Sequence, residues 1–165
     1  MKDVWNGLCE KCDHKSCCND YVTPFLTPNE FQNIKKIKDE YFADKVLIKN
    51  IKGYALKKKK DTNECIFWNN AQGCTIYQTR PFDCKLFPFD IYKINGKYTW
   101  IVYSCNENAD WTWSEEILKI LEKEVITQDV IEHLDAFADL GRLDASDKSY
   151  KYIKLRKVKI NFNTR

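Results

Sequence analysis

The sequence is poor in glycine, with five in 165 residues, and has a single methionine. So low a glycine content is unlike the Gly- and Ser-rich small scaffolds of secreted proteins. No apolar run approaches the roughly 18 to 20 residues needed to cross a bilayer, so no membrane span is expected. The opening, "MKDVWNGLCE", lacks the long apolar core of a secretory signal, and the expected location is cytoplasmic. No glycine-rich nucleotide loop is present, and no serine or cysteine nucleophile stands beside a base partner, which speaks against a hydrolase arrangement. Neither an internal repeat nor a low-complexity linker divides the chain. One domain over residues 1–165 is expected, with a core of ordinary size for this length.

What is abundant is sulfur. Eight cysteines fall into two groups: Cys9, Cys12, Cys17 and Cys18, then Cys65, Cys74, Cys84 and Cys105. In an oxidising compartment an even count suggests disulfides; in a reducing one it suggests metal or redox chemistry. Spacing and expected compartment together favour metal. The stretch "CEKCDHKSCC" opens with C-x2-C, a spacing that lets both sulfurs turn toward one ion. Adjacent side chains such as Cys17 and Cys18 diverge in most backbone conformations. One of them can complete a site with Cys9 and Cys12 while the other reaches the distal group or stays a free thiol. The formal net charge is +3. Four thiolates around Zn²⁺ carry a net −2, so two such centres would more than cancel it.

Helix-start chemistry is clear in "LTPNEFQNIKKIKDEYF". Thr27 can cap, Pro28 suits the first helical position, and Glu30 completes a capping box. Phe31, Ile34 and Ile37 follow at helical spacing. Residues 46–56 read as extended, and "KKKKD" after them as a solvated turn. The segment from Cys65 to Phe89 reads as loop, broken at Asn69–Asn70. Asn95–Gly96 between two alternating stretches predicts a β-hairpin that delivers Cys105 at its far end. Ser114 predicts a helix start, Thr127 a second one running to Gly141, and the alternation of Val158, Ile160 and Phe162 a last strand. The fold class is α+β: small, loop-rich, with a β-hairpin and several helices, stapled by Cys-ligated metal. The cysteine core spans about 5–105, and a helical, basic extension covers 110–165.

In "CEKCDHKSCC" and "CTIYQTRPFDCKLFPF" the chain resembles the YkgJ-like cysteine-cluster family, the zinc- or iron-chelating CxxCxxCC proteins. Cys74, Ile76, Tyr77, Arg80, Pro81, Cys84, Lys85, Phe87, Pro88 and Phe89 fall on the pattern C-x-I-Y-x-x-R-P-x-x-C-(R/K)-x-F-P-F. The likeness covers roughly residues 5 to 105, and the opening here reads C-x2-C-x4-CC. It implies bound metal, with all eight cysteines as candidate ligands. With it in hand, an iron–sulfur cluster of the 4Fe-4S type is expected ahead of zinc, although the spacings match neither familiar ferredoxin pattern. Flagellin lysine N-methylases carry a similar arrangement, which extends the implied roles to redox chemistry or assistance in a modification reaction. The alternative is a zinc-stapled module for a protein or RNA partner, without catalysis.

Other residues carry less. Arg80 can place a guanidinium beside an anionic centre or simply anchor a Pro-set turn. His14 is first a solvated residue and His133 ordinary surface or core. Lys11, Lys15 and Lys85 can offset thiolate charge. The aromatics between Phe67 and Phe89 are core before they are shelter for a cluster. Basic runs at 57–60 and 148–159, seven Lys/Arg and no acid from Lys148 to Arg165, invite a nucleic-acid reading. No RNA or DNA motif accompanies them, and solvated faces come first.

Overall fold

A computed structural model describes residues 23–38, 41–48, 51–104, 110–138 and 151–160. Its first unit is a three-stranded antiparallel sheet with one helix. Strand β1 (Phe25–Leu26) leads into α1 (Pro28–Lys35); β2 (Ala43–Ile48) and β3 (Ile51–Leu56) follow, in the order β1-β3-β2. The expected capping box is present. Thr27 Oγ1 accepts from Glu30 N at 3.2 Å and the Glu30 carboxylate accepts from Thr27 N at 3.1 Å. Ile34 is fully buried and Phe31 stacks on the Tyr54 ring at 3.8 Å. Ile37, expected on the same stripe, lies past the last helical turn and is exposed. The stretch read as one extended segment is two strands folded on each other, Ala43 opposite Leu56 and Ile48 opposite Ile51. Thr27 is completely buried. Thr27→Ala therefore removes a cap with no water to replace it, and should lower unfolding stability in urea by about 1 to 2 kcal/mol.

The middle of the chain is as irregular as its breakers imply. A two-stranded ladder, β4 (Trp68–Asn69) with β5 (Gly73–Cys74), precedes a 3-10 turn at Tyr77–Thr79 and a single-turn helix, α2 (Phe82–Leu86). Asn69 Oδ1 accepts from the backbone N–H groups of Ala71 and Gln72 and builds the turn between the two strands. Gly73, at φ +75°, closes it in the left-handed region that glycine enters without strain.

The last unit is a second antiparallel sheet, β6 (Phe89–Ile94), β7 (Lys97–Ser104) and β8 (Lys151–Lys157), in that order. Asn95 and Gly96 both have positive φ, the requirement of the tight hairpin their sequence predicts. Two helices, α3 (Glu115–Glu124) and α4 (Gln128–Ala138), belong to this unit and share its core. Thr127 caps α4 as expected, its Oγ1 accepting from Val130 N at 3.3 Å. Ser114 does not cap α3. A 3-10 turn at Thr112–Ser114 runs straight into the helix, and the Ser114 hydroxyl donates back to the Trp111 carbonyl at 2.6 Å. The terminal ladder lies earlier than the alternation suggested; Val158 and Ile160 follow it and pack on the core, while Phe162 and Gly141 are outside the described residues.

The interior is in two parts. One gathers Phe89, Ile91, Trp100 and Val102 with the inward faces of α3 and α4. The other gathers Leu26, Ile34, Phe42, Leu56, Phe67 and Ile76. Helices and small antiparallel sheets mix as an α+β domain does. Helix α2 serves both parts: Phe82 and Leu86 belong to the first, and Cys84 packs against the second.

Candidate metal centre

Cys65, Cys74 and Cys84 arrive from three different local structures. Cys65 sits in an isolated bridge opposite Lys58, Cys74 pairs with Trp68 across the β4–β5 ladder, and Cys84 rides on α2. All three side chains pack against the same apolar cluster, around Phe67 and Ile76, and all three are free thiols. They are within charge reach of one another. Burial pushes the Cys84 thiol well above its usual range; the Asp83 carboxylate and the Cys65 and Cys74 sulfurs push it further, and the Arg80 guanidinium opposes them. Burial also raises Cys65, while the backbone N–H groups of Phe67 and Trp68 and the charge of Lys59 favour its thiolate. The Trp68 N–H donates to the Cys65 carbonyl at 2.9 Å, so a tight turn follows Cys65 directly.

No three His, Cys, Asp or Glu side chains among the described residues form a ready-made metal-holding group. The donor set nonetheless fits a thiophilic ion or cluster in kind. It is sulfur only and partly desolvated, and its three cysteines are one fewer than a four-coordinate site takes. Cys9, Cys12, Cys17, Cys18, Cys105 and His14 lie outside the described residues, as do Lys11 and Lys15.

The surrounding residues are now placed. Arg80 lies with its guanidinium 3.8 Å above the Tyr77 ring and its charge acting on Cys84. The charge of Lys85 is felt by the Glu30 carboxyl. His133 is buried in α4 with its ring 5.2 Å from that of Phe82, a core position. The basic runs are partly spent within the fold: Lys57 sits over the Tyr41 ring, Lys59 pairs with Glu64, and Arg156 and Lys159 pair with acids of α3. No helix among the described residues is long and apolar enough to cross a membrane. One residue was not recognisable as part of this region from sequence. Glu30 Oε1 accepts from Phe82 N, at the start of α2, at 2.6 Å. Its only sequence signal was the capping box of its own helix.

Fold and site together define a small α+β protein whose candidate centre is built from thiols alone. The chain belongs to the CxxCxxCC family, described as "Putative zinc- or iron-chelating domain", whose model matches residues 8–116. It is also similar to the uncharacterized protein MJ0661 of Methanocaldococcus jannaschii, 28% identical over 138 aligned positions that cover 72% of this chain and 74% of that one. No solved structure matches the chain. The family resemblance read from the two cysteine motifs is thus upheld, and with it zinc or iron as the class of metal.

Proposed function

We propose that the protein carries a Cys-ligated centre in which Cys65, Cys74 and Cys84 supply three sulfurs. The fourth comes from the remaining five cysteines, and an iron–sulfur cluster is favoured over zinc. What supports this reading is that three thiols from separate elements pack against one apolar cluster, within charge reach of one another. When bound, such a centre supplies one-electron chemistry, which suits a redox role or assistance to a modification reaction. The chain's own part is to desolvate the sulfurs, donate N–H groups to Cys65 and hold a guanidinium near Cys84. The N–H groups and the guanidinium favour thiolate, while burial disfavours it and leaves that charge for a bound cation to balance.

Anaerobic purification with a visible spectrum and elemental analysis tests the proposal. The expected result is brown protein containing iron and acid-labile sulfide, with Cys84→Ser losing that centre. Colourless protein containing zinc would overturn the iron–sulfur reading and leave a zinc-stapled module. Metal-free protein with its cysteines linked pairwise would overturn both.

A further inference from the structure

Helix α2 has five residues, too few to persist alone. Its own N-cap position is Pro81, which offers no side-chain acceptor. The first N–H groups of a helix have no partner within it and must find one elsewhere. For Phe82 N that partner comes from 52 residues earlier in the chain: Glu30 Oε1 at 2.6 Å. The other oxygen of the same carboxyl, Oε2, accepts from Thr27 N at 3.1 Å in the capping box of α1. One residue further along α2, Asp83 Oδ2 accepts from Phe25 N at 2.9 Å, a second long-range tie between the same two regions.

We infer that Glu30 is a positioning residue for the Cys84 sulfur: a single carboxyl caps two helices, its own and the turn that carries the thiol. Cys84 lies two residues beyond Phe82, so whatever fixes that N–H fixes where the sulfur stands relative to Cys65 and Cys74. Desolvation of Glu30 by its surroundings strengthens both bonds, since neither oxygen is shared freely with water. The inference rests on the proposed centre for what Cys84 does, and on the hydrogen bonds alone for where Cys84 is held.

The test is site-resolved alkylation of reduced, chelator-treated protein, with Cys65, Cys74 and Cys84 followed separately by peptide mass spectrometry. In Glu30→Ala, modification of Cys84 should accelerate about tenfold relative to Cys74, as expected for losing a hydrogen bond to a carboxyl. Glu30→Asp, one methylene too short to span both N–H groups, should do the same. Glu30→Gln, which keeps one acceptor oxygen and secures the outcome if the alanine variant does not fold, should give an intermediate ratio. Lys119→Ala, which removes only an exposed pair with Glu116 on α3, should leave the ratio unchanged. Equal acceleration of all three thiols in the Glu30 variants, or none, overturns the inference.

A Co²⁺ titration against a competing chelator carries it to the metal. Glu30→Ala should weaken binding about 10- to 100-fold and lose thiolate charge-transfer intensity as Cys84→Ser does. Unchanged affinity and spectrum would overturn the positioning role at the centre. Wild-type protein that takes up no Co²⁺ would overturn the centre itself, while the alkylation ratio still decides whether Glu30 holds Cys84.

Discussion

Arg156→Ala should cost about 3 kcal/mol of unfolding stability, because it leaves a buried carboxylate without its cation. Arg156, on β8, reaches across to α3. Its Nε donates to Glu115 at 2.5 Å, and its two terminal nitrogens donate to Glu122 at 2.5 and 3.1 Å. The Glu122 side chain is only 8% exposed. It also accepts from Trp100 Nε1 at 2.9 Å and from Lys159 N at 2.7 Å, so it cannot swing out to water without breaking further bonds. Trp100 is itself fully buried at the centre of this core. The contrast within the same helix is Lys119, whose exposed pair with Glu116 should be worth under about 0.5 kcal/mol when Lys119→Ala removes it. Chemical denaturation of the two variants checks the pair. Adding Glu122→Gln to Arg156→Ala should recover part of the loss, since no charge then stays buried. Equal small losses for Arg156→Ala and Lys119→Ala would show that the Arg156 cluster is no more than a surface contact.

Stability should also fall as pH rises through neutrality, and Glu30 is the reason. Burial raises its carboxyl from the usual 4.5 to about 7, against the pull of the Thr27 and Phe82 N–H groups and of the Lys85 charge, with Asp83 adding repulsion. A carboxyl whose folded value lies above its unfolded one favours folding fully below the unfolded value. That contribution is lost as pH climbs through the folded value. Between pH 5 and pH 8 the shift corresponds to about 2 to 3 kcal/mol. Other groups titrate over this range, so the informative quantity is the difference from Glu30→Gln. At pH 5 the carboxyl is mostly protonated, and the amide, its near-isostere, should match it to within about 1 kcal/mol. Near pH 8 the amide should be the more stable of the two, because it carries no charge to desolvate. Urea midpoints that move in parallel for the two proteins across this range would rule the carboxyl out as the source.

Local chemistry was the most legible part of the sequence. The Thr27–Glu30 capping box and the Asn95–Gly96 hairpin were readable because each depends on residues within one turn of the chain. Where a neighbour intervened, reading failed. Ser114 looks like a cap, but the 3-10 turn begun at Thr112 puts it in helical conformation and sends its hydroxyl to Trp111. Residues 46–56 carry Asn50 between the paired Ile48 and Ile51, but without the Asn-Gly dipeptide that marks residues 95–96 the stretch reads as one extended segment. Spacing put Cys65, Cys74, Cys84 and Cys105 in one group by sequence alone; the first three pack against one apolar cluster, and Cys105 is outside the described residues. Spacing was silent about how α2 is held. The bond from Glu30 to Phe82 joins residues 52 positions apart, and a capping-box glutamate with a second acceptor looks no different in sequence from one without.

The double allegiance of α2 has one further consequence. Phe82 and Leu86 are seated in the half of the protein that contains none of the three described thiols, and Cys84, between them, faces the half that contains them all. A shift of α2 as a body therefore moves Cys84 together with Phe82 and Leu86, two buried side chains of the core that holds Trp100, Leu118 and Leu134. Close-packed interiors do not absorb such movements softly. The backbone that presents Cys84 therefore answers to the packing of the core beneath α3 and α4 as well as to that of its own side.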